Sequence, residues 1–125
     1  MSHILLVALG GGLGASARYL TNLAALRVAG PHFPWGTILV NIIGSFAMGV
    51  LIETLTRRTG TSMEVRSFLA TGFLGGFTTF SAFSLDFALM WERGDQWIGA
   101  LYLSASVVLS ILALFAGLSL VRAIS

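Results

Sequence analysis

The sequence contains no cysteine and no lysine, and it is poor in charge of either sign. Of its 125 residues only 10% are charged, whereas 56% are hydrophobic, and all seven basic residues are arginine. The lack of cysteine excludes a disulfide, a thiolate metal site and a cysteine nucleophile. A scattered net charge of +2 is too small for a nucleic-acid-binding patch. A mean hydropathy of +0.90 instead predicts that the solvent of this chain is a lipid bilayer.

Residues suited to catalysis or metal binding are also scarce. His3 and His32 both lie outside the long apolar runs, which argues against a histidine-ligated metal inside the membrane. Residues 12–17 (GLGASA) fit the dinucleotide fingerprint, but the first acidic residue is Glu53, too distant to bind the ribose of such a ligand. No Ser-His-Asp set or carboxylate pair falls within the apolar segments. We therefore expect that the protein is not an enzyme.

Four apolar segments are long enough to cross a bilayer, for which about 20 residues are needed. The predicted helices cover residues 4–26, 35–55, 65–90 and 97–121. No positive charge precedes the first segment and similar segments follow it, so we interpret it as a retained helix and not as a signal peptide. The sequence predicts an all-α integral membrane protein formed by one four-helix domain.

The direction in which these helices cross the membrane is weakly specified. Four arginines fall on the side that holds both chain ends, and two or three fall on the other, depending on Arg18. This balance predicts that the chain inserts in both directions.

Small residues four apart, such as Gly10 with Gly14 and Ser45 with Gly49, predict close helix packing. Because four helices enclose no obvious water path, a pore would need more than one copy.

The third segment contains the pattern that suits a continuous helix least. Gly75 and Gly76 are followed, after Phe77, by the β-branched Thr78 and Thr79. These are poor helix formers in the middle of a membrane, where water cannot satisfy free backbone groups. We predict a break at this point that offers backbone carbonyls or N–H groups to an ion. The alternative is a continuous helix in which threonine hydroxyls bond back to the preceding turn.

Neutral polar groups and aromatic rings form a candidate ion pathway. Hydroxyls and amides replace part of an anion's hydration shell without a fixed charge that would trap it, and aromatic ring edges also face anions favourably. Ordinary packing and hydrogen bonding between helices are the alternatives. The candidate pathway residues are Thr37, Asn41, Phe80, Ser81, Phe83, Tyr102, Ser106 and Ser110. Arg18 is either an anchor whose side chain reaches the lipid headgroups or a positive charge that attracts anions to a pore mouth.

Three motifs resemble those of the bacterial CrcB/Fluc fluoride channels. They are residues 11–19 (GGLGASARY), 35–46 (WGTILVNIIGSF) and 72–81 (GFLGGFTTFS), and the resemblance extends over the whole chain. It implies a broken third helix and an antiparallel, dual-topology homodimer in the bacterial inner membrane, with two separate pores along the subunit interface. Ala82 departs from the family, which commonly has a hydroxyl residue at this position.

The resemblance also implies roles for individual residues. Asn41 and the edges of Phe80 and Phe83 would coordinate fluoride, the two rings coming from opposite subunits. Arg18 would lie in a vestibule. The polar track of the family corresponds to Tyr102, Ser106 and Ser110, and a structural sodium ion would be bound by the carbonyls of Gly75 and Thr78 from both subunits.

Two other functions, proton-coupled export and a non-transporting role in assembly, would also fit parts of this sequence. A proton-coupled exporter like the small multidrug transporters also has four spans, but it needs a carboxylate inside the membrane, and Glu53 and Asp86 lie toward segment ends. A small assembly subunit that transports nothing would explain the glycine spacing, but it leaves Asn41 without a role. We therefore expect a passive channel that exports fluoride from the cytoplasm and relieves its toxicity, with proton-coupled export as the alternative.

Overall fold

The computed structural model describes residues 2–58 and 62–124, and within these residues every regular element is a helix. Helix α1 spans His3–Ala29, α2 spans Trp35–Arg57, α3 spans residues 63–77, α4 spans Phe80–Glu92 and α5 spans Gln96–Ile124. Together α3 and α4 form one segment of membrane length, so four segments of the described residues are long and apolar enough to cross a bilayer. The prediction of an all-α protein with four membrane-spanning segments is confirmed.

The first helix begins and ends where its sequence provides caps. The Ser2 hydroxyl accepts a hydrogen bond from the Ile4 N–H at 3.2 Å. Gly30 follows the last turn with a φ of +80°, a left-handed conformation that glycine adopts without steric penalty. Because α1 continues to Ala29, Arg18 lies closer to the middle of the helix than the predicted segment placed it.

Glycines determine how closely the helices approach. A Cβ added at Gly14 would overlap the backbone carbonyl of Phe73 in α3. A Cβ added at Gly49 would likewise overlap the carbonyl of Leu114, so α2 and α5 are in backbone contact. Small residues permit such approach inside a membrane, where close packing is a main source of helix association. The predicted role of the glycine spacing in helix packing is confirmed at these two interfaces.

The third membrane segment is irregular over much of its length. The turns of Ser67–Leu74 are π-helical and are followed by one α-helical turn, Gly75–Phe77. The chain then becomes extended at Thr78 (φ −85°, ψ 160°) and Thr79 (φ −153°, ψ 123°) before α4 begins. The segment is therefore broken within the predicted stretch from Gly75 to Thr79, at its two threonines, whereas its two glycines stay helical. Gly76 stays helical because its face packs on the α1 backbone, whereas β-branched threonines suit extended backbone.

Candidate functional site

The side chain of Asn41 in α2 binds both backbone groups of Thr79 in the break. Its Oδ1 accepts a hydrogen bond from the Thr79 N–H at 2.8 Å, and its Nδ2 donates one to the Thr79 carbonyl at 3.0 Å. The amide thus takes the place of a neighbouring strand and satisfies backbone groups that would be costly to leave free in a membrane. An amide nitrogen has two N–H groups, so Asn41 retains one donor beyond this pairing.

The start of α4 lies near the middle of the membrane segment and is capped by Thr79. The Thr79 Oγ1 accepts a hydrogen bond from the Ala82 N–H at 3.1 Å and lies 3.3 Å from the Ser81 Oγ. A helix start has four N–H groups without an intrahelical acceptor, and this cap uses one of them. The remaining N–H groups give this point in the membrane a partial positive charge, which favours an anion.

A groove of about 310 Å³ opens beside the start of α4. Five of the eight predicted pathway residues meet there, on α2, α4 and α5. Its lining consists of Asn41, Ser45, Thr78, Thr79, Phe80, Phe83, Ser106, Val107, Ser110 and Ile111. Side chains from three helices and the break therefore surround one space that contains hydroxyls, an amide and aromatic rings, but no formal charge.

The hydroxyls of Ser106 and Ser110 are buried in this groove and have no hydrogen-bond partner within residues 2–58 and 62–124. Serine hydroxyls in a helix commonly bond back to the preceding turn, as Ser84 does to the carbonyl of Phe80. A buried polar group without a partner is unfavourable by about 1–3 kcal/mol. Two such hydroxyls in one groove are therefore available to hydrogen-bond a polar ligand or an ion. Hydrogen bonding to another helix, the alternative for these serines, is not found in the described residues.

The two phenylalanines of the predicted pathway differ in exposure. Phe83 is only 5% exposed and forms part of the inner wall, whereas Phe80 is 77% exposed and stands at the open side of the groove. Their ring centroids are 5.5 Å apart and their planes are tilted by 57°. Within one protomer, Phe83 thus belongs to the buried lining of the groove. The Phe80 ring faces outward, away from the protomer's own core.

Tyr102 and Thr37 belong to the predicted pathway but do not line the groove. Tyr102 is fully buried, and its hydroxyl donates to Oδ2 of Asp86 at 3.0 Å. Thr37 and Asp86 line a second cavity of about 290 Å³ at the end of the molecule that holds the α1–α2 loop. Because its ring also contacts Phe83, with centroids 5.2 Å apart, Tyr102 stands between the two cavities.

Asp86 is a site residue that the sequence analysis missed. The sequence places it only toward the end of the third segment, and no spacing in the sequence signals its pairing with Tyr102. Ser81 is the remaining pathway residue outside both cavities: it is exposed in the first turn of α4. Asp86 therefore adds an acidic group beside a pathway that sequence reasoning described as neutral.

Arg18 contacts the broken segment directly. Its Nε donates to the carbonyl of Gly76 at 3.2 Å, and the residue is half-buried. Since α3 ends one residue after Gly76, that carbonyl lacks the N–H that a continuous helix would supply. The guanidinium thus caps the first half of the broken segment, whereas a snorkelling anchor would extend toward the headgroups.

The break also diverts the hydrogen bonds that the carbonyls of Gly75 and Thr78 would accept in a continuous helix. The Thr79 N–H bonds to Asn41 and not to Gly75, and the Ala82 N–H bonds to Thr79 Oγ1 and not to Thr78. Two hard oxygen donors are therefore released near mid-membrane. Elsewhere in the described residues, no group of three or more His, Cys, Asp or Glu side chains is placed to hold a metal ion.

Comparison with known proteins identifies the family. The model of the family described as CrcB-like protein, Camphor Resistance (CrcB), matches residues 5–118. Proteins named fluoride-specific ion channel FluC from Mesorhizobium japonicum and Chelativorans sp. are each 59% identical over 99% of both chains. One of the same name from Agrobacterium fabrum is 55% identical over 98% of both chains. With its four membrane-spanning segments and broken third segment, the chain belongs to the CrcB-like family of membrane proteins.

Proposed function

We propose that this protein is a fluoride-selective passive channel of the bacterial inner membrane, which exports fluoride from the cytoplasm and relieves its toxicity. The observation that carries the proposal is the pair of unpartnered hydroxyls, Ser106 and Ser110, buried in a groove beside a helix start. The choice of fluoride is supported by the fluoride-specific channels that share 50–59% of their residues with this chain.

The chemistry of the groove suits a small anion. Fluoride holds its water shell tightly, so a pathway must replace that water with strong hydrogen-bond donors. The serine hydroxyls, the spare N–H of Asn41 and the first N–H groups of α4 are such donors. None carries a formal charge, so the anion is bound without being trapped, as conduction requires. The ring edges of Phe80 and Phe83 add a weaker positive field.

The functional unit in this proposal is an antiparallel homodimer. The groove is open on one side, where the Phe80 ring is mostly exposed at mid-membrane. A second copy in the opposite orientation would close the groove and bring the Phe80 ring of one subunit toward Phe83 of the other. Since each copy contributes one groove, the dimer would contain two separate pathways along its interface.

A structural sodium ion at the dimer interface is consistent with the donors in the break. The carbonyls of Gly75 and Thr78 are released from helical hydrogen bonding, and two subunits together would supply four such oxygens. Neutral oxygen donors suit a hard monovalent cation. When bound, sodium would neutralise these carbonyl dipoles and join the two breaks. Removal of sodium should then lower both flux and thermal stability of the dimer.

Flux measurements on purified protein in liposomes test the proposed function. Fluoride should leave loaded liposomes down its own gradient, and chloride should be retained. The control is an equal amount of protein-free liposomes. Retention of fluoride by liposomes that contain folded, dimeric protein would refute the proposal.

One observation favours proton-coupled export as a second candidate. Asp86 is a half-buried carboxylate that accepts a hydrogen bond from Tyr102 next to the pathway, and a coupled exporter needs such a group. In that mechanism a pH gradient drives fluoride uphill and Asp86→Asn abolishes the coupling. In the channel mechanism a pH gradient alone moves no fluoride, which separates the two candidates.

A further inference from the structure

The last turns of α2 and α5 are joined by one buried carboxylate. Glu53 is only 9% exposed; its Oε2 accepts a hydrogen bond from Arg57 Nε at 2.9 Å, and its Oε1 accepts one from Arg122 Nε at 3.1 Å. Arg57 lies in the last turn of α2 and Arg122 in the last turn of α5. We refer to these three residues as the arginine clamp.

The arginine clamp has excess positive charge and unused donors. Its two guanidinium groups carry two charges against one carboxylate. Each guanidinium contacts Glu53 through Nε, and within the described parts of the chain no acceptor is found for the Nη groups. The side chains of Arg57 and Arg122 are 41% and 54% exposed. Two donor forks held to the same carboxylate can bind an anion that has several oxygens, and phosphate has this geometry.

The position of the arginine clamp points to a lipid headgroup as the source of that phosphate. Since α2 and α5 cross the membrane in the same direction, both of their last turns emerge on one side. Arginines at the ends of membrane spans lie at headgroup depth, where anionic lipids attract them. Capping of the helix C-termini explains why arginine occurs in each last turn. It does not explain a buried glutamate that brings two exposed guanidinium groups together.

We propose that the arginine clamp binds the phosphate of an anionic phospholipid, and that Glu53 holds the two guanidinium groups in position. This site is separate from the groove and does not depend on the proposed transport of fluoride. In an antiparallel dimer, one arginine clamp would face each leaflet of the bilayer.

Native mass spectrometry of the purified full chain with phosphatidylglycerol or phosphatidylcholine tests the proposal. Arg57→Gln and Arg122→Gln should each reduce phosphatidylglycerol adducts about fivefold, the effect expected for one arginine near an anionic surface. The matched control is Arg93→Gln, since Arg93 is also 54% exposed and donates through Nε to Asp95 at 2.8 Å, but at the opposite end of the molecule. Phosphatidylcholine adducts should be equal in all variants. A loss in Arg93→Gln as large as in Arg122→Gln would overturn the proposal.

Melting temperatures separate lipid binding from a purely structural clamp. Phosphatidylglycerol should raise the melting temperature of the wild type more than that of Arg57→Gln or Arg122→Gln. An equal rise in all three would mean that the clamp only ties α2 to α5, and would contradict the proposal. Inorganic phosphate serves as the second arm: if it stabilises the wild type and phosphatidylglycerol does not, the ligand is free phosphate and the lipid assignment is wrong.

Discussion

Asn41 shows how one residue connects the broken segment with the candidate pathway. The sequence indicates that an amide in the middle of a span needs a partner, and the resemblance assigns it to fluoride. The structure gives it a second task, since both ends of its amide bind the backbone of Thr79. This pairing joins residues 38 positions apart, so neither periodicity nor local propensity could have predicted it.

Replacement of Asn41 by Asp tests the two tasks together. An aspartate keeps an acceptor for the Thr79 N–H but places a second anionic oxygen against the Thr79 carbonyl. We expect the protein to be destabilised by about 1–3 kcal/mol, and fluoride flux in liposomes to fall. Asn22→Asp is the control for stability but not for flux, because Asn22 lines the other cavity together with the pathway residue Thr37. Unchanged melting temperature and flux in Asn41→Asp would contradict this assignment.

Ser106 allows a functional hydroxyl to be distinguished from a structural one. Because its hydroxyl is buried without a partner in the described residues, Ser106→Ala should leave stability unchanged or raise it by up to about 1 kcal/mol. Fluoride flux should nevertheless fall, since the pathway loses a donor. Ser104→Ala on the same helix is the control, as Ser104 is exposed outside the groove. Lower stability with unchanged flux would assign the Ser106 hydroxyl to structure alone.

At the level of elements, the third segment was predicted as irregular but not in its actual form. Low helix propensity indicates an irregularity between Gly75 and Thr79, and hydropathy indicates the approximate length of the whole third membrane segment. Neither signal reports on π-helical turns, which depend on how Ser67–Leu74 packs on the glycine face of α1. Gly76 remains helical because its packing on α1 outweighs its weak helix propensity. Local sequence therefore located the irregularity, and tertiary contact decided its geometry.

The contact between α1 and α3 can be tested with two glycines of the same helix. A Cβ at Gly14 meets the backbone of Phe73 and Phe77, which cannot move aside as a side chain could. We expect Gly14→Ala to destabilise the protein by about 1–3 kcal/mol and, by displacing α3, to reduce fluoride flux. At Gly12 a Cβ has no atom of the described residues within 4 Å beyond its own helix, so Gly12→Ala should be neutral or slightly stabilising. Equal melting temperatures for the two variants would refute this packing argument.

For the whole molecule, hydropathy predicts the four spans, and the packing of the helices creates the groove. Neither hydropathy nor the fold of one chain describes the complete functional unit. Apolar runs alone were sufficient to predict four membrane segments. The meeting of Asn41, Phe83 and Ser106 depends on how α2, α4 and α5 pack, which residue types do not encode individually. A partner surface is harder still to predict, because residues that face lipid and residues that face a second copy are equally apolar.

The proposed antiparallel dimer makes a geometric prediction that flux measurements do not address. The two-fold axis of an antiparallel pair lies in the membrane plane, so a residue meets its own copy only near mid-membrane. The chain has no native cysteine, and an introduced one can pair only with its own copy. Gly75 is exposed near mid-membrane, and among the described residues a Cβ there meets only the Ala70 carbonyl at 3.6 Å. Gly75→Cys should therefore form disulfide-linked dimers on oxidation in liposomes.

Met63 at the start of α3 provides the contrasting position, because it is 65% exposed but lies at one end of the same membrane segment. In an antiparallel dimer the two copies of this residue face opposite sides of the membrane, so the subunits of Met63→Cys should not be cross-linked by the same oxidation. In a parallel dimer the axis runs along the membrane normal, and self-contacts occur at every depth. Cross-linking of Met63→Cys as efficient as that of Gly75→Cys, read on a non-reducing gel, would therefore exclude the antiparallel arrangement.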